Sequence, residues 1–270
     1  MNDSKDLDFC LLIPCYNNYE GLVGSLKTVS YPGEKFLIVI VDDGSTDPVL
    51  QEDIQTEVGK SKPLIILRNE RNLGITKSLN LGLSWIVENV VTKYIARLDC
   101  GDLCDPERFI LQVDLMDNHP EIGLSGTWCR FVDEETGKGY SYRAPATHKG
   151  ILREMNFRNV FMHATVMFRA DLLNEAGYYP EDFDYAEDYA FFWKLIQLKQ
   201  SVVIDRYLVL CKVNKKGLSF KNRGKQLAAR WSVVKKFSTN PLLCILANFK
   251  LKLLLILPKE LTLRLKKLRG

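Results

Sequence analysis

Apolar residues in the first hundred positions fall into short unbroken blocks, separated by longer stretches in which they recur every three or four residues. The blocks predict strands at about 8 to 14, 36 to 41, 63 to 68 and 93 to 98, since apolar runs without alternation suit strands covered on both faces. The intervening stretches, at about 18 to 30, 47 to 58 and 74 to 90, predict helices. This alternation implies an α/β fold whose parallel strands are joined by crossover helices. After residue 102 the pattern loosens into a helix over 106 to 118, a strand over 123 to 132 and a hairpin turn from Glu134 to Gly139. No internal repeat or low-complexity linker interrupts the chain before residue 220.

Charge changes the picture at the carboxyl end. The 270 residues carry a net charge of +4, yet residues 1 to 205 hold 20 Lys and Arg against 32 Asp and Glu, while residues 206 to 270 hold 17 against one acid, Glu260. A block this basic suits nucleic acid, an anionic membrane surface or a solvated tail. Pro241 to Leu257 is leucine-rich, and Lys250 and Lys252 interrupt a run already short for a bilayer span. Basic amphipathic helices lying on an anionic membrane surface are therefore expected, with packing on the preceding domain or on another subunit as the alternative. No nucleic acid partner is expected, because the apolar residues of the tail are aliphatic and few aromatics are available for stacking on bases.

Composition adds two limits. A hydrophobic content of 46% over 270 residues can bury the core of a single enzyme-sized unit. Seven scattered cysteines without metal-ligand spacing, behind a polar start from Met1 to Asp6, point to a reducing cytoplasm, with Cys15 and Cys100 as small packing residues.

Three acid pairs carry the candidate chemistry. Asp42 and Asp43 end the strand at 36 to 41, where ligands of open α/β sheets bind, unless they only cap the turn through Gly44 to Asp47. Asp99 and Asp102 follow the strand at 93 to 98, and Glu187 and Asp188 open a helix anchored by Phe191, Phe192, Leu195 and Ile196; either pair could equally be capping acids.

These segments occur together in an order that resembles the family-2 glycosyltransferases of the GT-A fold. Phe9 to Asn17, ending Pro14-Cys15-Tyr16-Asn17, is similar to the family's first strand; Val41 to Asp47 to its Val-Asp-Asp-Gly-Ser-Thr-Asp; and Arg68 to Gly74, with Asn80 downstream, to its Asn-x-Gly stretch. Tyr94 to Asp102 stands where the metal-binding acids belong, and Ala186 to Leu195 resembles the helix that carries the catalytic base. The likeness covers roughly residues 9 to 220. It implies a GT-A domain over 1–220, with a Rossmann-like nucleotide-binding half to about 102 and an acceptor half over 103–220, followed by a helical region over 221–270.

The resemblance also implies roles. Pro14, Tyr16, Asn17, Asp42, Asp43, Arg71 and Asp99 would bind the nucleotide, with Asp43 accepting from the N3–H of uracil, so that a UDP-sugar is favoured and a dTDP-sugar second. Asp99 and Asp102 would hold Mn²⁺ or Mg²⁺, which act as Lewis acids on a leaving diphosphate. Gly101 replaces the middle acid of the common Asp-x-Asp-Asp pattern and leaves open which of the two touches the metal. Asp188, with Glu187, would deprotonate the acceptor hydroxyl, and His163 and Trp193 would contact the acceptor. The family's Arg-x-His stretch has no histidine between Lys212 and Ser219, so Lys212 or Lys215 is the candidate for the diphosphate. The expected activity is inverting transfer of a hexosyl or N-acetylhexosaminyl group to a lipid-linked or polysaccharide acceptor, in cell-surface glycan assembly of the O-antigen or capsule type, at the inner membrane face. A membrane-attached scaffold without activity, or a sugar-phosphate nucleotidylyltransferase, is the alternative; the latter would need a Gly-rich loop in place of Pro14 to Asn17.

Overall fold

The structure, a computed structural model, describes residues 6–33, 35–60, 62–213 and 223–257. Strands β1 (Leu7–Cys15), β2 (Phe36–Asp42), β3 (Leu64–Arg68) and β4 (Thr92–Arg97) pair in parallel, in the spatial order β3-β2-β1-β4. Helices α1 (Tyr19–Thr28), α2 (Gln51–Val58) and α3 (Ile75–Asn89) make the crossovers. Phe9 to Ile13 and Ile38 to Val41 are wholly buried, the consequence of a strand covered on both faces.

The second half extends the same sheet with mixed polarity. After the short β5 (Leu103–Cys104) and α4 (Arg108–Asn118), β6 (Ile122–Asp133) turns through residues 134–138 into β7 (Gly139–Tyr142). Helix α5 (His148–Met155), β8 (Met167–Arg169), α6 (Leu173–Ala176) and α7 (Glu187–Leu198) lead to β9 (Gln200–Val213). β8 lies antiparallel between β4 and β6, and β9 runs parallel to β6 while closing antiparallel on β5. A polar seam stitches the halves together. The buried Arg108 donates from Nη2 to the Arg97 carbonyl at 2.7 Å and from Nε to Gln112 at 3.0 Å, and Gln112 donates onward to Ser125 and Thr165 at 3.1 Å each.

Two helices follow β9: α8 (Arg223–Phe237), which packs on α7, and α9 (Pro241–Ile256), which packs on α8. Asn240 caps α9 by accepting from Leu243 N–H at 3.1 Å, with Pro241 in its first turn. Ala247 and Leu251 of α9 are buried, whereas Leu242, Ile245, Leu246, Phe249, Leu253 and Ile256 are exposed, Phe249 by 69% and Ile256 by 82%. At 100° per residue those six side chains share one face of the helix. Lys250 is tied back to the Phe157 carbonyl at 3.2 Å, and its ammonium lies over the Phe157 ring. No helix among the described residues is long and apolar enough to cross a membrane. Residues 214–222 and 258–270, which carry the rest of the basic block, lie outside the described residues.

Candidate active site

The carboxyl ends of β1 and β4 open into a cleft of about 1040 Å³, walled by Pro14, Tyr16, Asn18, Asp99 and Cys100 on one side and by Tyr185 to Tyr189 on the other. Leu73 to Lys77, at the start of α3, close it beside the strand ends, and Asn159, Met162 and His163 form part of its wall. Helix α8 contributes Gln226 and Arg230. Of the sequence candidates, Pro14, Tyr16, Asp99, His163, Glu187 and Asp188 are thus brought to one space.

The Asp42–Asp43 turn shapes this cleft from behind. Asp42 is 0% exposed and lies off the cleft wall. Its Oδ1 accepts from Ser45 N–H at 2.9 Å, and its Oδ2 from Val49 N–H at 3.2 Å and from Arg68. Burial works to raise this carboxyl, yet hydrogen bonds from Ser45 and Val49 and the Arg68 guanidinium outweigh it and hold it below the usual carboxylate range. The expectation that Asp42 meets the nucleotide therefore gives way to a framework role, since it is wholly buried off the cleft wall and held by the turn and Arg68. Asp43, 4% exposed, accepts at Oδ1 from Asn69 Nδ2 and Leu73 N–H, at 2.7 and 2.9 Å, and at Oδ2 from Gly74 N–H at 2.9 Å. That leaves Oδ2 one free lone-pair direction. Gly44, at φ +70, passes so close to Arg71 that a Cβ would sit 2.3 Å from its carbonyl carbon, so only glycine fits this turn.

Asn17 and Arg71 flank the cleft without lining it. Asn17 adopts φ +48, accepts from Thr46 N–H at 2.8 Å and donates its N–H to Ser45 Oγ at 2.9 Å, which locks the β1 loop to the β2 turn. Arg71 is exposed. Trp193 corrects a further expectation: it is buried at 3% exposure within the core, and a side chain already packed on all sides has no surface to offer an acceptor.

The acids after β4 form a tight turn, with Asp102 N–H donating to the Asp99 carbonyl at 3.0 Å. The Asp99 side chain is 45% exposed and accepts from Arg97 Nη2 at 2.8 Å. Asp102 is buried and accepts from Lys212 N–H at 2.9 Å. Burial, with the Asp99 charge beside it, pushes its carboxyl up to about 7. Gly101 between them takes φ +107, a conformation in which an L side chain would be strained. The Lys212 ammonium pairs with Glu134 at 3.4 Å; Lys215 lies outside the described residues.

A raised, buried carboxyl beside an exposed carboxylate in one turn is a donor set of the hard-oxygen type that divalent cations take, with phosphate oxygens and water as further ligands. Among the described residues no cluster of three or more His, Cys, Asp or Glu could hold a metal unaided. Two carboxyls alone would leave most of a cation's ligands to be supplied from outside the protein.

Across the cleft, Glu187 and Asp188 occupy the first turn of α7. Asp188 accepts from Tyr189 N–H at 2.7 Å and from Asn159 Nδ2 at 2.9 Å. Burial is the main reason its carboxyl rises to about 6; Glu187 rises to about 7 through burial and the Asp188 charge. His163 Nε2 accepts from Arg97 Nε at 3.3 Å and lies 2.8 Å from Tyr179 Oη. An arginine can only donate, so the imidazole proton rests on Nδ1, and burial beside the Arg97 charge lowers the ring to about 3. His163 is thus neutral and no base at physiological pH.

Comparison with known proteins places the chain in a family. The model of glycosyl transferase family 2 matches residues 10–177. The chain belongs to that family. It is 36% identical over 199 residues to the amylovoran biosynthesis glycosyltransferase AmsE of Erwinia amylovora, covering 72% of this chain and 71% of AmsE. It is 28% identical over 161 residues to the putative glycosyltransferase EpsE of Bacillus subtilis, covering 59% and 55% of the two chains. In fold it is similar to S. aureus TarS 1-349 in complex with UDP-GlcNAc, with a TM-score of 0.65 at 20% identity over 84% of this chain and 65% of that one. The mannosyltransferase PcManGT of Pyrobaculum calidifontis, in complex with GDP-Man and Mn²⁺, gives 0.65 at 18% identity over 91% and 70%. This family-2 enzyme is therefore a glycosyltransferase with the GT-A architecture.

Sequence reasoning missed several members of its cleft. Asn159 became visible only once folding brought it against Asp188, and Gln226 and Arg230 lay within a segment read for its net charge. Tyr185, at φ +68 on the cleft wall just before the acid pair, carries the one detectable signal, an aromatic beside the motif. Its backbone conformation is uncommon for a bulky residue.

Proposed function

We propose that this glycosyltransferase is an inverting, cation-assisted enzyme. It would move a hexosyl or N-acetylhexosaminyl group from a nucleoside diphosphate sugar, UDP-sugar first and dTDP-sugar second, to a lipid-linked or polysaccharide acceptor in cell-surface glycan assembly. The observation that carries this reading is one cleft with Asp99 on one wall, Asp102 buried in the turn behind it, and the raised Glu187–Asp188 pair on the other wall. Its volume exceeds what a small ligand fills and suits a nucleotide sugar together with part of an acceptor.

In this reading Pro14 and Tyr16 flank the base, and the free lone-pair direction of Asp43 Oδ2 takes the N3–H of uracil or thymine. Asp99 and Asp102 hold Mn²⁺ or Mg²⁺, which when bound supplies positive charge to the departing diphosphate. Asp188, oriented by Asn159, removes the proton from the acceptor hydroxyl. The oxygen attacks the anomeric carbon as the bond to the diphosphate oxygen breaks, with its electron pair leaving on the diphosphate, so the configuration inverts. His163 offers Nδ1–H to the acceptor. The nucleotides of TarS and the Mn²⁺ of PcManGT support the donor class and the cation, and the role named for AmsE supports a biosynthetic setting.

Calorimetric titration of UDP, dTDP and GDP, with and without Mn²⁺, against the protein and Asp102→Ala tests this directly. Mn²⁺-dependent binding of UDP or dTDP, lost in the variant, is the expected result; preference for GDP would overturn the uracil assignment, and metal-independent binding the cation.

Residues 221–270 would form the membrane-attached part of the enzyme, with 1–220 as its catalytic domain. The exposed face of α9, set on a strongly basic chain end, fits an interfacial helix on anionic lipid at the inner face of the cell membrane. Sedimentation with anionic vesicles should be lost on Ile245→Asp/Phe249→Asp. Unchanged sedimentation, or loss of a dimer in place of lipid binding, would overturn it.

A further inference from the structure

Two thiols meet at the edge of the cleft. Leu12 and Arg97 form the last β1–β4 pair; beyond it Cys15 ends β1 and Cys100 stands in the turn that follows β4. Their Sγ atoms lie 3.5 Å apart, and both thiols lie against the Asn18 carbonyl, at 3.7 and 3.2 Å. Cys15 is flanked by Pro14 and Tyr16 of the cleft wall, and Cys100 directly follows Asp99. Neither thiol is explained by glycosyl transfer.

We propose that Cys15 and Cys100 form a reversible disulfide, with a low-molecular-weight disulfide as oxidant, and that this bond restrains the nucleotide end of the cleft. Sulfur atoms already in contact need to close by only about 1.5 Å to reach the disulfide bond length of about 2 Å. The order of events follows from access. Cys15 is 2% exposed, whereas Cys100 lines the cleft, so the small disulfide meets Cys100 first. The Cys100 sulfur displaces one thiol and forms a mixed disulfide; the Cys15 sulfur then attacks Cys100 and displaces the second thiol. Two protein thiols are oxidised, one small disulfide is reduced to two thiols, and the protein thiol protons leave with them. In a reducing compartment such a bond is transient and responds to redox state.

The effect on function follows from position and rests on the donor reading above. The bridge ties Tyr16 and Asp99, which in that reading flank the base and hold the cation, so small shifts of either reach the donor.

The test oxidises the full-length protein with glutathione disulfide and reads two quantities: cross-linked peptides by mass spectrometry, and affinity for UDP with Mn²⁺ by calorimetry. We expect a Cys15–Cys100 cross-link that dithiothreitol reverses, with roughly a tenfold change in affinity or more. Cys15→Ser should stop at a mixed disulfide on Cys100, and the Cys15→Ser/Cys100→Ser affinity should no longer respond to oxidation. A stable mixed disulfide on Cys100 of the unsubstituted protein, without the cross-link, would overturn the proposal, as would a cross-link that leaves affinity unchanged. Absence of UDP binding in the reduced protein would instead count against the donor assignment, while the cross-link is still read by mass.

Discussion

The acid pairs Asp42–Asp43 and Glu187–Asp188 look alike in sequence and differ in what surrounds them. At the end of β2, backbone N–H groups, Arg68 and Asn69 supply a donor for almost every carboxylate lone pair. At the start of α7, Asp188 has two donors, one of them the N–H of its own neighbour, and both carboxyls are raised. Burial with full pairing makes an acid part of the framework; burial with incomplete pairing keeps it reactive and costs stability.

The largest test of this contrast is Asp188→Asn, which keeps the side-chain shape and removes the base. Turnover should fall by about 10²- to 10⁴-fold, with nucleotide affinity retained. Asp42→Ala should show the opposite profile. It leaves Val49 and Ser45 N–H groups and Arg68 without their acceptor, and should cost about 3 kcal/mol in denaturant unfolding while the folded fraction keeps its nucleotide affinity. Substantial turnover in the first, or an undisturbed midpoint in the second, would erase the distinction.

A smaller effect sharpens it. Asp188 is raised to about 6 in the fold against about 3.9 unfolded, so the native state binds its proton more tightly. Its contribution to stability is present below the unfolded value and is lost as pH rises through about 6. Asp188→Asn should therefore gain about 1 to 2 kcal/mol at pH 8 and nothing at pH 4. Equal unfolding midpoints of the two proteins at pH 8 would contradict the burial argument.

Legibility followed the range of the interactions. The first four strands and three helices were readable because each is fixed by local apolar pattern and by turns such as Gly44. The second half was not: β8 is three residues long, and β9 pairs with a strand about eighty positions earlier, through register shifts near Thr127 to Cys129 that no local pattern encodes. Motif order named Asp99 and Asp188, which share one cleft, and Asp102, which is buried behind its wall. It overreached at Asp42 and Trp193, where the residue type fits the chemistry and only packing shows that no surface is left.

Arg230 gives the finest test, because it reaches the acid pair from α8, across more than thirty residues of intervening chain. Its charge favours the ionised form of Asp188, acting against burial. Arg230→Gln removes that attraction and raises the Asp188 carboxyl, so less of the base is ionised at pH 6. The acid limb of the rate profile should move upward by less than one unit, about twofold in rate at pH 6, and vanish as a difference by pH 8.5. A loss that persists at high pH would mean that Arg230 contacts a substrate directly, and the α8 wall would then belong to binding and not to the tuning of the base.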